Sequence, residues 1–255
     1  MIEETEVRVH DLRGSRVLVT GGTSGLGRAM AEALSDAGAE VAITSRDRDK
    51  AERVAASIPG AVGIGMDTRD EDAVEAGIDD LLGRWGAIDV LVNNAGIGMR
   101  TVNPQFTTRP QGFWEVEATG FRDVIETNLT GYFLVAKAVV PHMLAAEGGR
   151  IVDISMNHAT MNRRGFSPYG PSRAGSEALS RIMAADLADT PIRVNLLLPG
   201  GITDTGMLDG VTLPEGAGVL PASIMAAPIL WLVSDDAKDA HDQRIVASEF
   251  ERSSA

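Results

Sequence analysis

Strand-length apolar runs alternate with longer helical stretches along nearly the whole chain. "RVLVT" at 16–20 precedes a helical pattern near 25–37, and "EVAITS" at 40–45 precedes another near 47–57. A weaker run, "AVGIGM" at 61–66, leads to a third near 70–84. "IDVLVNNAG" leads through a long insert to a helical stretch near 120–146, and "RIVDIS" at 150–155 to one opening near Tyr169. "IRVNLLLPG" at 192–200 is followed by a loop, the helical "ASIMAAPILWLVSD" and a short strand near "RIVAS". Uninterrupted apolar strands are buried on both faces, and their alternation with helices predicts a doubly wound α/β fold around a parallel sheet. No repeat, low-complexity tract or linker divides the pattern, so 1–255 is read as a single domain.

Composition narrows the function classes. A formal net charge of -13 argues against nucleic acid or an anionic membrane as partner. There is no cysteine, which removes disulfides and thiolate chemistry, and the four histidines are not at helical metal-ligand spacing, so no metal is expected. The first residues, "MIEETEVRVHDLRGSR", are charged and lack an apolar segment. They read as neither signal peptide nor transmembrane helix, and a cytoplasmic protein is expected.

In a doubly wound sheet, ligands bind beyond the carboxyl ends of the strands. "TGGTSGLG" stands there after the first strand. Glycines at 21, 25 and 27 permit a tight turn and let backbone N–H groups and a helix N-terminus approach a pyrophosphate. Gly21, Thr23, Ser24, Gly25, Leu26 and Gly27 are therefore candidate nucleotide-binding residues. At the end of the second strand a carboxylate would grip a ribose 2′-hydroxyl, but Ser45 stands there and Arg46 follows. A hydroxyl and a guanidinium suit a 2′-phosphate, which favours NADP(H) over NAD(H), with Asp47 nearby as the opposing feature. Asp67, with Thr68 beside it, could accept from the adenine amino group or cap the helix beginning near Asp70. Asn94, Ala95 and Gly96 are small residues where the backbone must pass the cofactor.

Together, "TGGTSGLG", Asp67, "NNAG", "IETNLTGYF", "GRIVDIS", "PYGPSRAG" and "RVNLLLPGG" resemble, in order and spacing, the motifs of the short-chain dehydrogenase/reductase family. The resemblance covers about residues 14–235. It implies a Rossmann fold with a seven-stranded parallel sheet. It also implies hydride transfer between nicotinamide and a small-molecule carbonyl or alcohol, in a homodimer or homotetramer. The family's catalytic set maps onto Asn128, which would hold a relay water, a serine near Ser155, and Tyr169 as general acid/base. The position of the family lysine is occupied by Arg173.

Two departures follow. The family lysine binds the nicotinamide ribose, lowers the tyrosine pKa by its charge and passes protons to water. Arginine keeps the charge but cannot deprotonate at working pH, so ribose binding can survive while the relay is altered. If the relay is what suffers, Arg173→Lys should raise turnover; a drop would mean a pocket built around the guanidinium. The family serine usually falls one residue later, where Met156 stands. Ser155 is the candidate if the loop turns it inward, with Asn157, His158 or Thr160 as alternative holders of the substrate oxygen.

The family's substrate lid corresponds to about 200–222. Pro199, Gly200, Ile202 and Thr203 lead into it beside the cofactor, where Thr203 or Thr205 could reach the nicotinamide carboxamide. Met207, Leu208, Val211 and Leu213 would form an apolar wall. A loop insert at about 100–118, rich in proline and aromatics, either roofs the site or makes a subunit contact. The tail lacks the family's double glycine near the last strand, so disorder is expected at its end. The leading expectation is an NADP(H)-dependent carbonyl reductase or alcohol dehydrogenase. A 3-oxoacyl thioester reductase is the narrower version, and a catalytically impaired NADP(H)-binding sensor or assembly protein the rival.

Overall fold

A computed structural model describes residues 10–213 and 216–250. The end of the tail and two lid residues, 214–215, lie outside the described residues. The sheet forms from β1 (Arg16–Val19), β2 (Glu40–Ser45), β3 (Val62–Gly65), β4 (Val90–Asn93), β5 (Gly149–Ile154), β6 (Ile192–Leu198) and β9 (Arg244–Val246). Between β6 and β9, the two-residue strands β7 (Ile202–Thr203) and β8 (Val219–Leu220) pair with each other. The main sheet has seven strands in the order β3-β2-β1-β4-β5-β6-β9, all parallel. The order reverses between β1 and β4, which opens a crevice at their carboxyl ends.

The helices are α1 (Gly25–Asp36), α2 (Arg48–Ala55), α3 (Glu71–Trp85), α4 (Ala118–Ile125), α5 (Gly131–Ala145), α6 (His158–Met161), α7 (Tyr169–Asp186) and α8 (Ala226–Val233). Strand alternation divides the core in two. Val17, Val19, Ile43 and Val92 pack towards α1 and α8, whereas Leu18, Leu91 and Ile151 pack towards α3, α5 and α7. The stretch expected as one helix near 120–146 is interrupted by a π segment, Glu126–Thr130, and the helix expected within "ASIMAAPILWLVSD" starts only at Ala226. No helix among the described residues is long and apolar enough to cross a membrane.

One buried carboxylate sits in the α5/α7 layer. Asp153 on β5 is 1% exposed and accepts from Asn93 Nδ2 at 2.9 Å. Burial pushes its carboxyl up to about 6, against hydrogen bonds from Asn93 and Ser180 and the charge of Arg173. The folded chain therefore keeps this proton to higher pH than the unfolded chain does. Stability contributed by the neutral acid is present below about pH 4 and is lost as pH rises towards about 6. Asp153→Asn is expected to flatten that slope and to gain up to roughly 3 kcal/mol at pH 7.5, at about 1.4 kcal/mol per pKa unit. Thermal unfolding of both proteins at pH 4 and pH 7.5 checks it; an equal difference at both pH values would refute it.

Candidate active site

The crevice begins at the turn after β1. Gly21 and Gly25 have φ of +64° and +55°, a backbone region that glycine enters without steric cost. A Cβ at Gly27 would overlap Asn94 Nδ2 and lie 2.8 Å from Gly21 O. Asn94 is packed there because its Nδ2 donates to Thr20 O at 2.9 Å and Gly21 O at 3.2 Å. Thr20 Oγ1 in turn accepts from the N–H groups of Asn94 and Ala95, at 2.9 and 3.0 Å. The end of β4 is thus pinned to the β1 turn. Helix α1 opens on the crevice, and its N-cap, Ser24, makes no side-chain cap bond.

At the far end, Ser45 Oγ accepts from Asp47 N at 3.2 Å, and Asp47 caps α2 by accepting from Lys50 N at 3.0 Å. Its carboxylate is spent on the helix, so the feature that opposed a 2′-phosphate is outside the crevice lining. Lys50, which the sequence reading overlooked, borders the crevice with Ser45 and Arg46. Its signal was its place four residues beyond Arg46. Asp67 also borders the crevice but does not cap α3: Asp70 does, accepting from Ala73 N at 3.2 Å. Asp67 is instead gripped by Arg69, Nε to Oδ1 at 3.0 Å and Nη2 to Oδ2 at 2.7 Å, which holds its pKa below the usual carboxylate range.

At the near end, the π segment carries Asn128 into the interior, where it is fully buried. Its Oδ1 accepts from Ile97 N at 2.9 Å, and its Nδ2 donates to Ile97 O and Ser172 Oγ, both at 3.0 Å. Both amide hydrogens are used. The side chain ties β4's loop to α7, so a water held by Asn128 would have to donate to one of its carbonyl oxygens.

Tyr169 and Arg173, one turn apart at the start of α7, border the crevice. Arg173 is 3% exposed, and Nη1 donates to Tyr132 Oη at 2.7 Å and to Ile154 O at 3.0 Å. The central carbon of its guanidinium lies 5.5 Å from the ring centroids of both Tyr132 and Tyr169. Nη2 fills the space a Cβ at Gly96 would need. Burial pushes the Tyr132 phenol up to about 12 although Arg173 opposes it. Nη1 of Arg173 is committed to the protein, so any donation to a ribose falls to Nη2 and Nε. Its Nε is buried without a partner.

Beyond β5, Ser155 borders the crevice, but its hydroxyl donates to Glu177 Oε2 on α7 at 2.8 Å. The proton expected for the substrate oxygen points away. Met156, Asn157 and Thr160 line the crevice, with Asn157 Nδ2 donating to Gly200 O at 2.9 Å. His158 does not: its Nε2 is 3.0 Å from Glu177 Oε1, and it opens on a separate surface hollow. That corrects its reading as a substrate residue; α6 turns the ring outward.

Pro199, Gly200, Ile202 and Thr203 reach the crevice, and Thr205 of the lid lies against Gly25, where an added Cβ would meet its Cβ at 3.0 Å. The insert contributes Arg100, Thr101, Phe106 and Thr107 to the lining, next to Met99. It is bound to the lid through Arg100 Nη1 donating to Asp209 O at 2.6 Å and Thr107 Oγ1 donating to Thr212 O at 2.7 Å. Its first half therefore roofs the crevice, whereas Phe113 and Trp114 project outward, 75% and 76% exposed. Phe106 meets Phe166 edge-on at 5.6 Å, and with Met207, Leu208 and Leu213 they make the near end apolar.

The crevice encloses about 850 Å³ and runs from Lys50 to Phe166. Its glycine cradle, helix N-terminus and cationic far end fit an extended anionic dinucleotide.

Comparison with known proteins agrees with this geometry. The family described as short chain dehydrogenase matches residues 15–215. The chain is 32% identical over 235 residues to the 3-oxoacyl-(acyl-carrier-protein) reductase of Salmonella typhimurium, covering 88% of this chain and 91% of that one. It is 32% identical over 199 residues to the 2-dehydro-3-deoxy-D-gluconate 5-dehydrogenase of Formosa agariphila, covering 76% and 72%. Among solved structures, the 3-ketoacyl-(acyl-carrier-protein) reductase of Brucella melitensis complexed with NADH superposes with a TM-score of 0.81 at 28% identity, covering 92% of this chain and 97% of that one.

Proposed function

Since this chain belongs to the short-chain dehydrogenase family, we propose that it is an NADP(H)-dependent oxidoreductase interconverting a carbonyl and an alcohol, with Tyr169 as general acid/base. The observation that carries the reading is that Tyr169 and Arg173 border the same crevice as the glycine turn. A nicotinamide cofactor is common ground with the relatives; the phosphorylated form is favoured by Ser45, Arg46 and Lys50, with Asp47 withdrawn into the α2 cap.

A reduced nicotinamide, when bound, would supply a hydride with its electron pair to the carbonyl carbon. Tyr169 Oη gives its proton to the carbonyl oxygen, and the fixed charge of Arg173 steadies the phenolate left behind. Tyr132 and Gly96 hold that charge in place. The backbone N–H groups of the β1 turn and the N-terminus of α1 would hold the pyrophosphate. The lid and insert, tied together, exclude water from the reacting centre.

The narrower reading, a 3-oxoacyl thioester reductase, is favoured by the apolar near end and by the similarity to reductases of that type. NADPH oxidation over a panel of 3-oxoacyl thioesters, simple ketones and sugar acids tests both. Turnover of at least one class is expected, with thioesters best. NADPH binding without any turnover would overturn the enzyme reading in favour of the sensor or assembly protein. Association into a homodimer or homotetramer is supported by Phe121, Phe133 and Ile182, exposed on α4, α5 and α7.

Cofactor choice gives a separate prediction. Ser45→Asp should weaken NADPH relative to NADH by roughly a hundredfold, because setting like charges together costs several kcal/mol. The ratio of kcat/KM for the two cofactors measures it. An unchanged ratio would remove Ser45 from the 2′-phosphate site.

A further inference from the structure

We infer that Ser155, Glu177 and His158 form a proton path joining the reaction crevice to solvent. The inference rests on the oxidoreductase reading above. That chemistry exchanges one proton with water per turnover, and Arg173 cannot carry it. A guanidinium keeps its protons at any working pH, and Nη1 is already bound to Tyr132 and Ile154. Both amide hydrogens of Asn128 are bound to the protein. A route that uses neither side chain is present.

One hydrogen-bonded chain crosses from the crevice to the surface. Ser155 borders the crevice and donates to Glu177 Oε2 at 2.8 Å. Glu177 Oε1 lies 3.0 Å from His158 Nε2. The His158 side chain is 65% exposed and opens on a hollow of about 330 Å³ with Met161, Asn162 and Arg181. Two short bonds therefore span the distance between two separate openings.

The surroundings keep Glu177 ready to accept. Arg244 on β9 donates Nε to Glu177 Oε1 at 2.8 Å and Nη2 to Met156 O at 2.8 Å. Arg173 and Arg181 stand one turn before and after it on α7, and Arg181 is paired with Asp242. The bonds from Ser155, His158 and Arg244 hold Glu177 below the usual carboxylate range despite its burial. It rests as an anion. Because Ser155 points its hydrogen at that anion, its lone pairs remain for an incoming proton. An ion pair that merely fixed β9 to α7 would need neither a crevice serine nor an exposed histidine on the same carboxylate.

In the direction of alcohol oxidation, the proton collected by Tyr169 passes to Ser155 Oγ through the oxygen lying between them, substrate or water. Ser155 releases its own hydrogen to Glu177 Oε2. Solvent exchange moves the imidazole hydrogen of His158 to Nδ1, the Glu177 carboxyl turns and passes its proton to the freed Nε2, and His158 releases the Nδ1 hydrogen to solvent. One proton leaves, no electron moves along the chain, His158 ends with the Nε2 hydrogen that bonds Glu177 at rest, and the other groups return to their starting state when the Glu177 carboxyl and the Ser155 hydroxyl turn back. Reduction runs the same steps inward.

The test uses the whole protein with NADPH and its best carbonyl substrate. His158→Ala, a surface change, is expected to lower kcat roughly tenfold in dilute buffer with KM values unchanged, and to raise the solvent deuterium isotope effect. Added imidazole should restore most of the loss. Glu177→Gln should also slow turnover, and imidazole should not restore it, because the break lies inside the protein. In the protein without ligands, the His158 Nε2 resonance should move on Glu177→Gln. Unchanged kcat and isotope effect in His158→Ala, a loss that imidazole leaves untouched, or an unmoved resonance would each overturn the path while the oxidoreductase reading stands. Absence of turnover by the unaltered protein would overturn both. If Glu177→Gln fails to fold, His158→Ala still decides.

Discussion

Replacing Tyr169 by phenylalanine is expected to lower kcat by roughly 100- to 10,000-fold, the span that a positioned proton donor contributes. The change removes one oxygen from the first turn of α7, whose apolar and backbone contacts it leaves alone. Nη1 of Arg173 is held by Tyr132 and Ile154, anchors that remain when the Tyr169 hydroxyl, which also bonds the guanidinium, is removed. The guanidinium should keep its place, and with it the cofactor crevice. NADPH affinity, followed by cofactor fluorescence, should therefore stay within about threefold of the unaltered protein while turnover collapses, the signature of an interaction made only in the transition state. A variant that keeps more than about a tenth of its turnover would move the proton donor elsewhere, because a lost general acid costs far more than that.

Arg173→Lys is the second large effect, and here the structure reverses the direction that a broken relay alone would suggest. If only proton transfer suffered from arginine, lysine would raise turnover. The guanidinium, however, is built into its surroundings. Nη1 binds Tyr132 Oη and Ile154 O, Nη2 lies against Gly96, and the side chain is 3% exposed. A lysine has the charge but lacks the planar fork, so it cannot fill both positions. Losing a bond to a charged donor costs about 1.5–3 kcal/mol. For a chain of this size each kcal/mol lowers Tm by roughly 2–4 °C. The variant should therefore melt several degrees lower and turn over more slowly, as calorimetry and steady-state rates would show. Higher turnover would mean that the relay outweighs packing and would also remove the need for a path through Glu177.

Much of the architecture could be read locally. Buried parallel strands must be apolar throughout, and left-handed turns after β1 demand glycine, so both leave marks in adjacent residues. The Tyr169–Arg173 spacing likewise survives translation into three dimensions, because both stand on one helix. The π segment around Asn128 leaves no mark in composition, because one extra residue in a helical turn alters none; only a kink at Asn128 was legible there. Asp47 shows the limit: its proximity to Ser45 was visible, but whether its carboxylate faced the crevice or capped α2 depended on a backbone angle. Ser155 shows it more sharply. Its hydroxyl direction is set by Glu177, 22 residues on, which is itself oriented by Arg244, a further 67 residues away.

By itself the sequence determined the class of sheet, the order of its strands along the chain, the place of the nucleotide turn and the presence of a tyrosine beside a permanent cation. These depend on periodicity, on glycine's freedom at positive φ and on short-range spacing, all of which act between near neighbours. Only the tertiary structure decided that Asp67 answers to Arg69, that Asn128 is spent on the backbone of Ile97, and that His158 faces out. It also decided that Arg173 is locked between two phenols. Those outcomes depend on which polar groups meet when distant segments pack. A buried donor or acceptor takes the partner that packing brings within about 3 Å, because leaving it unpaired costs more than most alternatives.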